Sequence, residues 1–400
     1  MNPSASSCAV PVTIPNQPAA WGAVLAMSLG AFVLVASEFM PVSLLTPIAS
    51  DLRISEGQAG QAIAVSGAFA LITSLFIARL AGRLDRKALL LGLTLLMIVS
   101  GTIAAFAPNY PVFMIGRAFI GVAIGGFWSM SAATAMRLVP ADQVPRALAI
   151  LNGGNALATV VAAPLGSFLG AIIGWRGAFF CLIPFAAIAF AWKWASLPAM
   201  RPSGDERASS LFALLKRPEI ALGMVAVSLL FMGQFALFTY LRPFLETVTK
   251  VDVSTLSLML LAVGVAGFIG TTLIGALLEE NSLYRTLIVM PVLMAAIALA
   301  LLAFGGSTPV VAVLLGFWGL IATAAPVGWW TWLARSLPQD AEAGGGLMVA
   351  VVQLAIALGA TVGGILFDAS GYVFTFGASA IVLLLAALFA VLAGTSAAKA

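Results

Sequence analysis

The stretch that decides the fold is WGAVLAMSLGAFVLVASEFMPVSLLTP, residues 21–47. At about 1.5 Å per residue, a helix of this length crosses the roughly 30 Å apolar core of a bilayer. Within it lies Glu38, an acid in an otherwise apolar segment. An ionisable group at that depth costs roughly 2.5 to 3.5 kcal/mol, so it indicates a functional site that faces protein or water. If this protein handles protons, Glu38 is the predicted proton carrier.

The whole chain has the composition of a polytopic membrane protein. Of its 400 residues, 62% are hydrophobic and 8% are charged, whereas about a quarter of the residues are charged in soluble domains. There is no histidine, and the two cysteines, Cys8 and Cys181, have neither disulfide nor metal-ligand spacing. The net charge of +4 comes from basic residues in short connectors, so it indicates topology and gives no reason to expect a nucleic-acid partner.

Apolar stretches of about twenty residues predict twelve membrane spans, which start near residues 22, 57, 88, 111, 146, 175, 219, 254, 284, 308, 343 and 372. Fourteen basic residues, among them Lys193, fall in the tails and connectors on the side of the termini, against four on the opposite side. This excess predicts that both termini are cytoplasmic and that the connectors on the opposite side are periplasmic.

A polar connector in the middle of the chain divides the spans into six plus six. A shift of 198 positions places Gly121 on Gly319 and Gly166 on Gly364, as expected for an internal repeat. The predicted fold class is an all-α membrane protein whose two six-helix bundles are related by pseudo-two-fold symmetry. We expect a monomer with a cytoplasmic tail, a first half, a cytoplasmic linker, a second half and a second tail at residues 1–20, 21–196, 197–218, 219–394 and 395–400.

The second charge at membrane depth is Arg117, on the same span as Gly121 and Gly125. By residue count, Arg117 and Glu38 both lie roughly 10 Å below the predicted periplasmic surface. An arginine stays protonated, so it can hold a nearby carboxylate ionised until substrate or a conformational change separates the two. We therefore predict that Glu38 and Arg117 couple proton movement to transport. The alternatives are a static pair and an arginine that only anchors its helix end.

Uncharged polar and aromatic side chains inside the spans are the predicted substrate contacts. They are Trp128, Asn152, Asn155, Phe231, Gln234, Phe238, Trp329 and Gln353. Phe231, Gln234 and Phe238 share one helix face, which offers both stacking and an amide hydrogen bond. That combination suits a nucleobase. Helix-to-helix hydrogen bonding and ordinary packing are the alternative interpretations of these residues.

Several motifs carry a family resemblance. They are Asp85-Arg86-Lys87 between spans 2 and 3, Arg117-x-x-x-Gly121-x-x-x-Gly125 in span 4, and Gly154, Pro164 and Gly166 in span 5. The chain resembles the major facilitator superfamily in its drug:proton antiporter branch. Segments such as EFMPVSLLTPIASDLRISEG (38–57) and PVGWWTWLARSL (326–337) are similar to those of its purine ribonucleoside efflux pumps.

This resemblance implies export of purine ribonucleosides such as inosine, guanosine and adenosine in exchange for protons, by alternating access between the two halves. It also implies a conformational role for Asp85, Arg86, Lys87, Gly154, Pro164 and Gly166. The expected partners are the small-molecule substrate and the lipid bilayer. The expected coupling ion is the proton, with no other cofactor and no metal.

Three competing functions remain open at this stage. The first is export of another solute, a sugar or an amphiphilic drug, by the same machinery. The second is a membrane enzyme, which usually needs a convergent acid/base set or a metal cluster, and the sequence offers neither. The third is a receptor, which would normally need an added signalling domain. We therefore expect a transporter without catalytic residues.

Overall fold

The computed structural model describes residues 19–81, 84–200, 214–277, 283–337 and 341–397. The regular structure in these ranges is helical, and ten of the helices are long and apolar enough to cross a membrane. Two of the ten, Val144–Ser196 and Ala341–Ala397, are long enough for two crossings each.

In the first half, α1 spans Trp21–Ser43, α2 Glu56–Ala81, α3 Arg86–Ala105 and α4 Tyr110–Leu138. The segment Val144–Ser196 contains α5 (144–173) and α6 (175–196). In the second half, the helices are α7 Pro218–Phe238, α8 Val253–Leu277, α9 Leu283–Phe304, α10 Thr308–Ser336, and Ala341–Ala397, which contains α11 (341–370) and α12 (372–397). Short helices follow α1 at Leu45–Leu52 and α7 at Leu241–Phe244, the latter continued by a π-helical turn at Leu245–Thr249.

Two glycines break the long segments where the sequence predicts a new span. Gly174 has φ 76° and ψ 164°, and Gly371 has φ 75° and ψ −173°. Side chains disfavour this backbone conformation, so glycine is needed where the chain turns between two crossings. The two breaks occupy equivalent places in the two halves. The prediction of twelve membrane helices, six in each half, is confirmed.

The internal repeat also appears in the helix packing. A Cβ on Gly121 would overlap the Ser66 carbonyl, so α4 lies in backbone contact with α2. A Cβ on Gly319 would overlap the Val263 carbonyl in the same way, which brings α10 against α8. Small residues permit such close approach of helices in a bilayer. The equivalent contacts support the pseudo-two-fold relation between the halves.

We expect Gly125→Ala to lower the stability of the protein by about 1 to 3 kcal/mol, because the added methyl would collide with the backbone of Ala70 on α2. The matched control is Gly92→Ala on α3, where a Cβ would meet nothing within 4 Å. Thermal unfolding in detergent measures both variants. Equal melting temperatures for the two variants would contradict the proposed tight contact between α4 and α2.

The two halves are hydrogen-bonded to each other at the end where α1 finishes and α2 begins, the predicted periplasmic end. Asp368 on α11 accepts hydrogen bonds from the Ser55 hydroxyl and, at 2.9 Å, from the Gly57 N–H at the start of α2. Arg242, after α7, donates from Nη1 to the Ser43 carbonyl at the end of α1. We call these five residues the outer clasp.

Lys193 lies in a different environment from the one the sequence suggests. The charge count places it in a connector, but its side chain is only 1% exposed and is packed among helices of the first half. A long side chain near a helix end can fold inwards, and residue counting does not detect this.

The predicted division into domains stays a prediction. Much of the linker at 197–218 and of both tails, at 1–20 and 395–400, lies outside the described residues, and α12 continues to Ala397.

Candidate functional site between the two halves

Glu38 lies five residues before the end of α1, where the two halves meet. Its side chain is 7% exposed. The side chain of Gln353, on α11 of the second half, lies beside the Glu38 carboxylate. The structure therefore brings together two of the predicted site residues from opposite halves.

Arg117 binds backbone carbonyls, and its guanidinium makes no hydrogen bond to the Glu38 carboxylate. Its Nη1 donates to the Ser37 carbonyl at 2.9 Å, its Nη2 to the Glu38 carbonyl at 3.3 Å, and its Nε to the Ala62 carbonyl at 3.0 Å. The two side chains still interact electrostatically. Among the residues that the structure describes, Arg117 has no carboxylate within 4.0 Å. Its part in proton coupling remains a prediction.

A proline explains why Arg117 binds the backbone of α1. Pro41 has no N–H, so the carbonyl of Ser37, four residues earlier, loses its usual partner in the helix. A buried carbonyl without a partner is costly. The Arg117 Nη1 supplies the missing donor, and its Nη2 also reaches the Ser66 hydroxyl on α2 at 3.2 Å. Arg117 thereby fixes the part of α1 that carries Glu38.

Aromatic side chains pack beside Glu38 across the contact between the halves. Phe39 on α1 stacks on Phe235 of α7 with ring centroids 5.9 Å apart. Phe231 and Phe238 pack against the same apolar cluster, which contains residues of both halves. Sequence reasoning missed Phe39, although it directly follows Glu38.

Two buried amide oxygens in this region have no hydrogen-bond partner. They are the Oε1 atoms of Gln234 on α7 and Gln353 on α11. Buried polar atoms are normally paired, and an unpaired one is a candidate for ligand contact. Both residues belong to the predicted substrate set.

The other predicted substrate contacts have different surroundings. Trp128 is half-buried and packs edge-on against Phe127 with ring centroids 5.6 Å apart. Asn155 is half-buried, whereas Asn152 is exposed and donates to the Leu148 carbonyl of its own helix at 2.9 Å. Trp329 lies in the core of the second half, packed against Trp332. These positions favour a packing role for Trp329.

The predicted conformational residues make local contacts in the first half. Asp85 caps α3 by accepting hydrogen bonds from the N–H groups of Lys87 and Ala88, and the N–H of Arg86 donates to the Met200 carbonyl at 3.1 Å. Gly154 and Gly166 bring α5 close to α1, and Pro164 between them is buried. Their role in the transport cycle stays a prediction. The described residues contain no group of three His, Cys, Asp or Glu side chains suited to a metal ion.

The family model for the Major Facilitator Superfamily matches residues 27–346. The chain belongs to the major facilitator superfamily. It is 63% identical to the "Transcription regulatory protein OpdE" of Pseudomonas aeruginosa, over 96% of this chain and 97% of the relative. It is 42% identical to the "Purine ribonucleoside efflux pump NepI" of Salmonella enteritidis, over 92% of each protein.

The fold agrees with this membership. The crystal structure of a bacterial homologue of the human lysosomal transporter Spinster matches with a TM-score of 0.77 and 15% identity, over 96% of this chain and 98% of that one. At this identity the match supports the fold alone. The protein is therefore a multi-pass membrane transporter of the major facilitator superfamily, a family of small-molecule transporters.

Proposed function

We propose that this transporter exports purine ribonucleosides, such as inosine, guanosine and adenosine, in exchange for protons. The 42% identical relative named as a purine ribonucleoside efflux pump supports the substrate class. The observation that carries the proton coupling is the buried Glu38 carboxylate, which faces Gln353 across the contact between the halves. A group that changes charge at this contact can alter how the halves bind each other.

The chemistry of the two side chains explains how protonation acts on the contact. An ionised carboxylate only accepts hydrogen bonds, so it favours the NH₂ group of Gln353. A protonated carboxyl also donates, and the Gln353 Oε1, which has no partner in the structure, is an acceptor for it. Proton binding thus reverses the donor and acceptor roles between α1 and α11. The two arrangements hold the halves together with different affinity, and this difference allows alternating access.

The substrate site proposed here lies beside Glu38. Phe231 and Phe238 offer aromatic faces for a purine ring, with ring stacking worth about 0.5 to 1.5 kcal/mol. The unpaired oxygens of Gln234 and Gln353 accept hydrogen bonds from ring N–H groups or ribose hydroxyls. Location in a bacterial inner membrane, cytoplasmic termini, a monomer and the absence of a nucleic-acid partner are part of the same proposal.

We expect Glu38→Gln to abolish the uptake of radiolabelled inosine that a pH gradient drives into inverted membrane vesicles. Glutamine keeps the shape of the side chain but cannot exchange a proton. The control is exchange of labelled for unlabelled inosine without a gradient, which Glu38→Gln should retain. Gradient-driven accumulation by this variant would reject the proton-carrying role of Glu38. Resistance to dyes or sugars but not to toxic nucleosides, in cells that overproduce the protein, would favour another solute.

The name of the Pseudomonas relative favours a second candidate function, a membrane transporter whose activity alters gene expression. The two candidate functions can be distinguished by the transcript profile of a strain that lacks the protein and is then supplied with either wild-type protein or Glu38→Gln. If wild-type protein restores the profile and Glu38→Gln does not, regulation follows from transport. Restoration by both proteins would favour a regulatory role that does not need proton-coupled transport.

A further inference from the structure

Lys193 is a buried amine that the proposed transport site does not use. Its Nζ donates a hydrogen bond to the Thr94 hydroxyl of α3 at 3.0 Å and lies 5.1 Å from the centre of the Phe127 ring on α4. Gly30 on α1 leaves room for it, because a Cβ at that position would overlap Nζ. Four helices of the first half, α1, α3, α4 and α6, therefore enclose the amine.

The amine has no counter-ion. Within the described ranges, no carboxylate lies within 4.0 Å of Nζ, and the hydroxyl of Thr94 is its hydrogen-bond acceptor. An ammonium has three N–H donors, so two are left without a protein acceptor. Burying an unpaired charge is costly, and an apolar side chain of similar size would fill the same space without that cost. Packing alone does not explain a lysine here.

The charged groups on the surrounding helices are distant along the chain. On each helix, every charged residue lies at least seven positions from the residue of that helix that contacts or carries the amine. They are Glu38 on α1, Asp85, Arg86 and Lys87 at the start of α3, Arg117 and Arg137 on α4, and Arg176 on α6. Of these, Glu38 and Asp85 are the acids. Neither acid contacts the amine, so the charge of Lys193 is governed by its access to water.

A small, mostly apolar cavity lies in the interface of α1, α3 and α6. It has room for about one water molecule. Its walls include Val33 and Ser37 on α1 and Met97 on α3, each one or two turns from Gly30 or Thr94. Ser37 is the neighbour of Glu38 in the chain. The interface of α1, α3 and α6 thus contains the cavity and, about two turns beyond Ala186 on α6, the amine.

We propose that Lys193 is a second proton-binding site, placed between Glu38 and the predicted cytoplasmic end. The neutral amine accepts the proton that Glu38 has released and becomes an ammonium. The ammonium then releases the same proton to water at the predicted cytoplasmic end, which regenerates the amine. This inference rests on the proposed proton-coupled export, since it supplies the exit for the proton that Glu38 takes up.

Two substitutions separate this role from a structural one. We expect Lys193→Met to keep or raise the melting temperature, to retain inosine exchange without a gradient, and to lower gradient-driven transport at least tenfold. Lys193→Arg keeps a permanent charge that cannot be released, so it should lose gradient-driven transport to the same extent. The matched control is Trp194→Met, which changes the neighbouring residue of α6, whose side chain is exposed, and should leave gradient-driven transport near that of wild type. Wild-type gradient-driven transport by Lys193→Met would overturn the proposal.

A direct measurement does not depend on the substrate. The protein has five lysines, and the signal of Lys193 Nζ in a protein with ¹⁵N-labelled lysine is identified by its loss in Lys193→Met. We expect this signal to titrate over the pH range in which transport changes. A Lys193 that stays charged throughout that range would overturn the inference. Failure of nucleoside transport itself would instead reject the proposed substrate and leave this measurement valid.

Discussion

Replacing Arg117 with methionine is expected to lower the free energy of unfolding by about 3 kcal/mol or more and to abolish transport. Arg117 is 1% exposed and donates hydrogen bonds to three backbone carbonyls, on Ser37, Glu38 and Ala62. A buried acceptor left without a partner costs about 1 to 3 kcal/mol. Methionine fills much of the space but restores none of these bonds.

A lysine at position 117 is not expected to make the same hydrogen bonds as Arg117, because the three N–H donors of a lysine radiate from one atom. The guanidinium presents donors in a fixed plane that reaches α1 and α2 at the same time. We therefore expect Arg117→Lys to be nearly as unstable as Arg117→Met. Thermal unfolding in detergent measures both variants.

A double substitution tests the reason for the loss. In Pro41→Ala, α1 regains an N–H for the Ser37 carbonyl, so this carbonyl no longer depends on Arg117. The destabilisation caused by Arg117→Met should therefore be smaller in the Pro41→Ala background, with a coupling free energy of about 0.5 to 3 kcal/mol. Strictly additive effects would show that Arg117 acts in some way other than by binding the freed carbonyl.

The number of the membrane helices could be predicted from the sequence, because about twenty consecutive apolar residues suffice to define a crossing. The places of Gly174 and Gly371 also agree with the predicted starts of spans 6 and 12. The sequence likewise indicated that Glu38 and Arg117 lie within the membrane, since ionisable residues stand out in apolar segments.

The partners of the charged residues were harder to predict. The sequence suggested that Arg117 faces the Glu38 carboxylate, whereas it binds the carbonyl that Pro41 frees. The signal was present, since a proline four residues after Ser37 predicts an unpaired carbonyl, but the sequence does not say which donor reaches it. Lys193 was misplaced because residue type and position along a helix do not determine which way a side chain points.

The outer clasp gives the second large effect. Arg242→Met and Asp368→Asn are each expected to open the predicted periplasmic end, because each removes a charge-assisted hydrogen bond between the halves. Such a bond contributes about 1.5 to 3 kcal/mol. This is roughly a 10- to 100-fold shift in the ratio of closed to open protein. Arg242 is also held by Glu246 at 2.7 Å, which keeps its guanidinium in place against α1.

A cysteine reporter measures the opening. In a background with Cys8→Ser and Cys181→Ser, Ile63→Cys places a thiol in the apolar cluster between the halves, where Ile63 is buried. An impermeant maleimide added at the predicted periplasmic side should label it faster in both clasp variants. The matched control is Arg176→Met, which also removes a cation at this end. The ion pair between Arg176 and Asp51 lies within the first half.

The control variant Arg176→Met is expected to change the labelling of Ile63→Cys little, for two reasons. The hydrogen bond from Arg176 lowers the pKa of Asp51, but the side chains of both residues are partly exposed, and such pairs contribute about 0 to 1 kcal/mol. Neither residue of the pair is in the second half, so its loss leaves the contact between the halves intact. Equal labelling of Arg176→Met and Arg242→Met would mean that charge at this end matters, and the specific bond does not.

Pro47 provides the more specific test of the clasp. The carbonyl that Arg242 binds belongs to Ser43, the last residue of α1, and Pro47, four residues later, has no N–H with which a continued helix could bond it. Pro47→Ala restores that donor within the chain, and Arg242→Met should then open the protein less than it does when Pro47 is present.

Pro41 and Arg117 show the same pattern, with one difference. Arg117 binds the freed carbonyl from within the first half, whereas Arg242 binds it from the second half. We therefore expect the first bond to persist through the transport cycle and the second to break each time the predicted periplasmic end opens. If labelling of Ile63→Cys in Arg242→Met were unchanged by Pro47→Ala, the carbonyl freed by Pro47 would not be what holds this end closed.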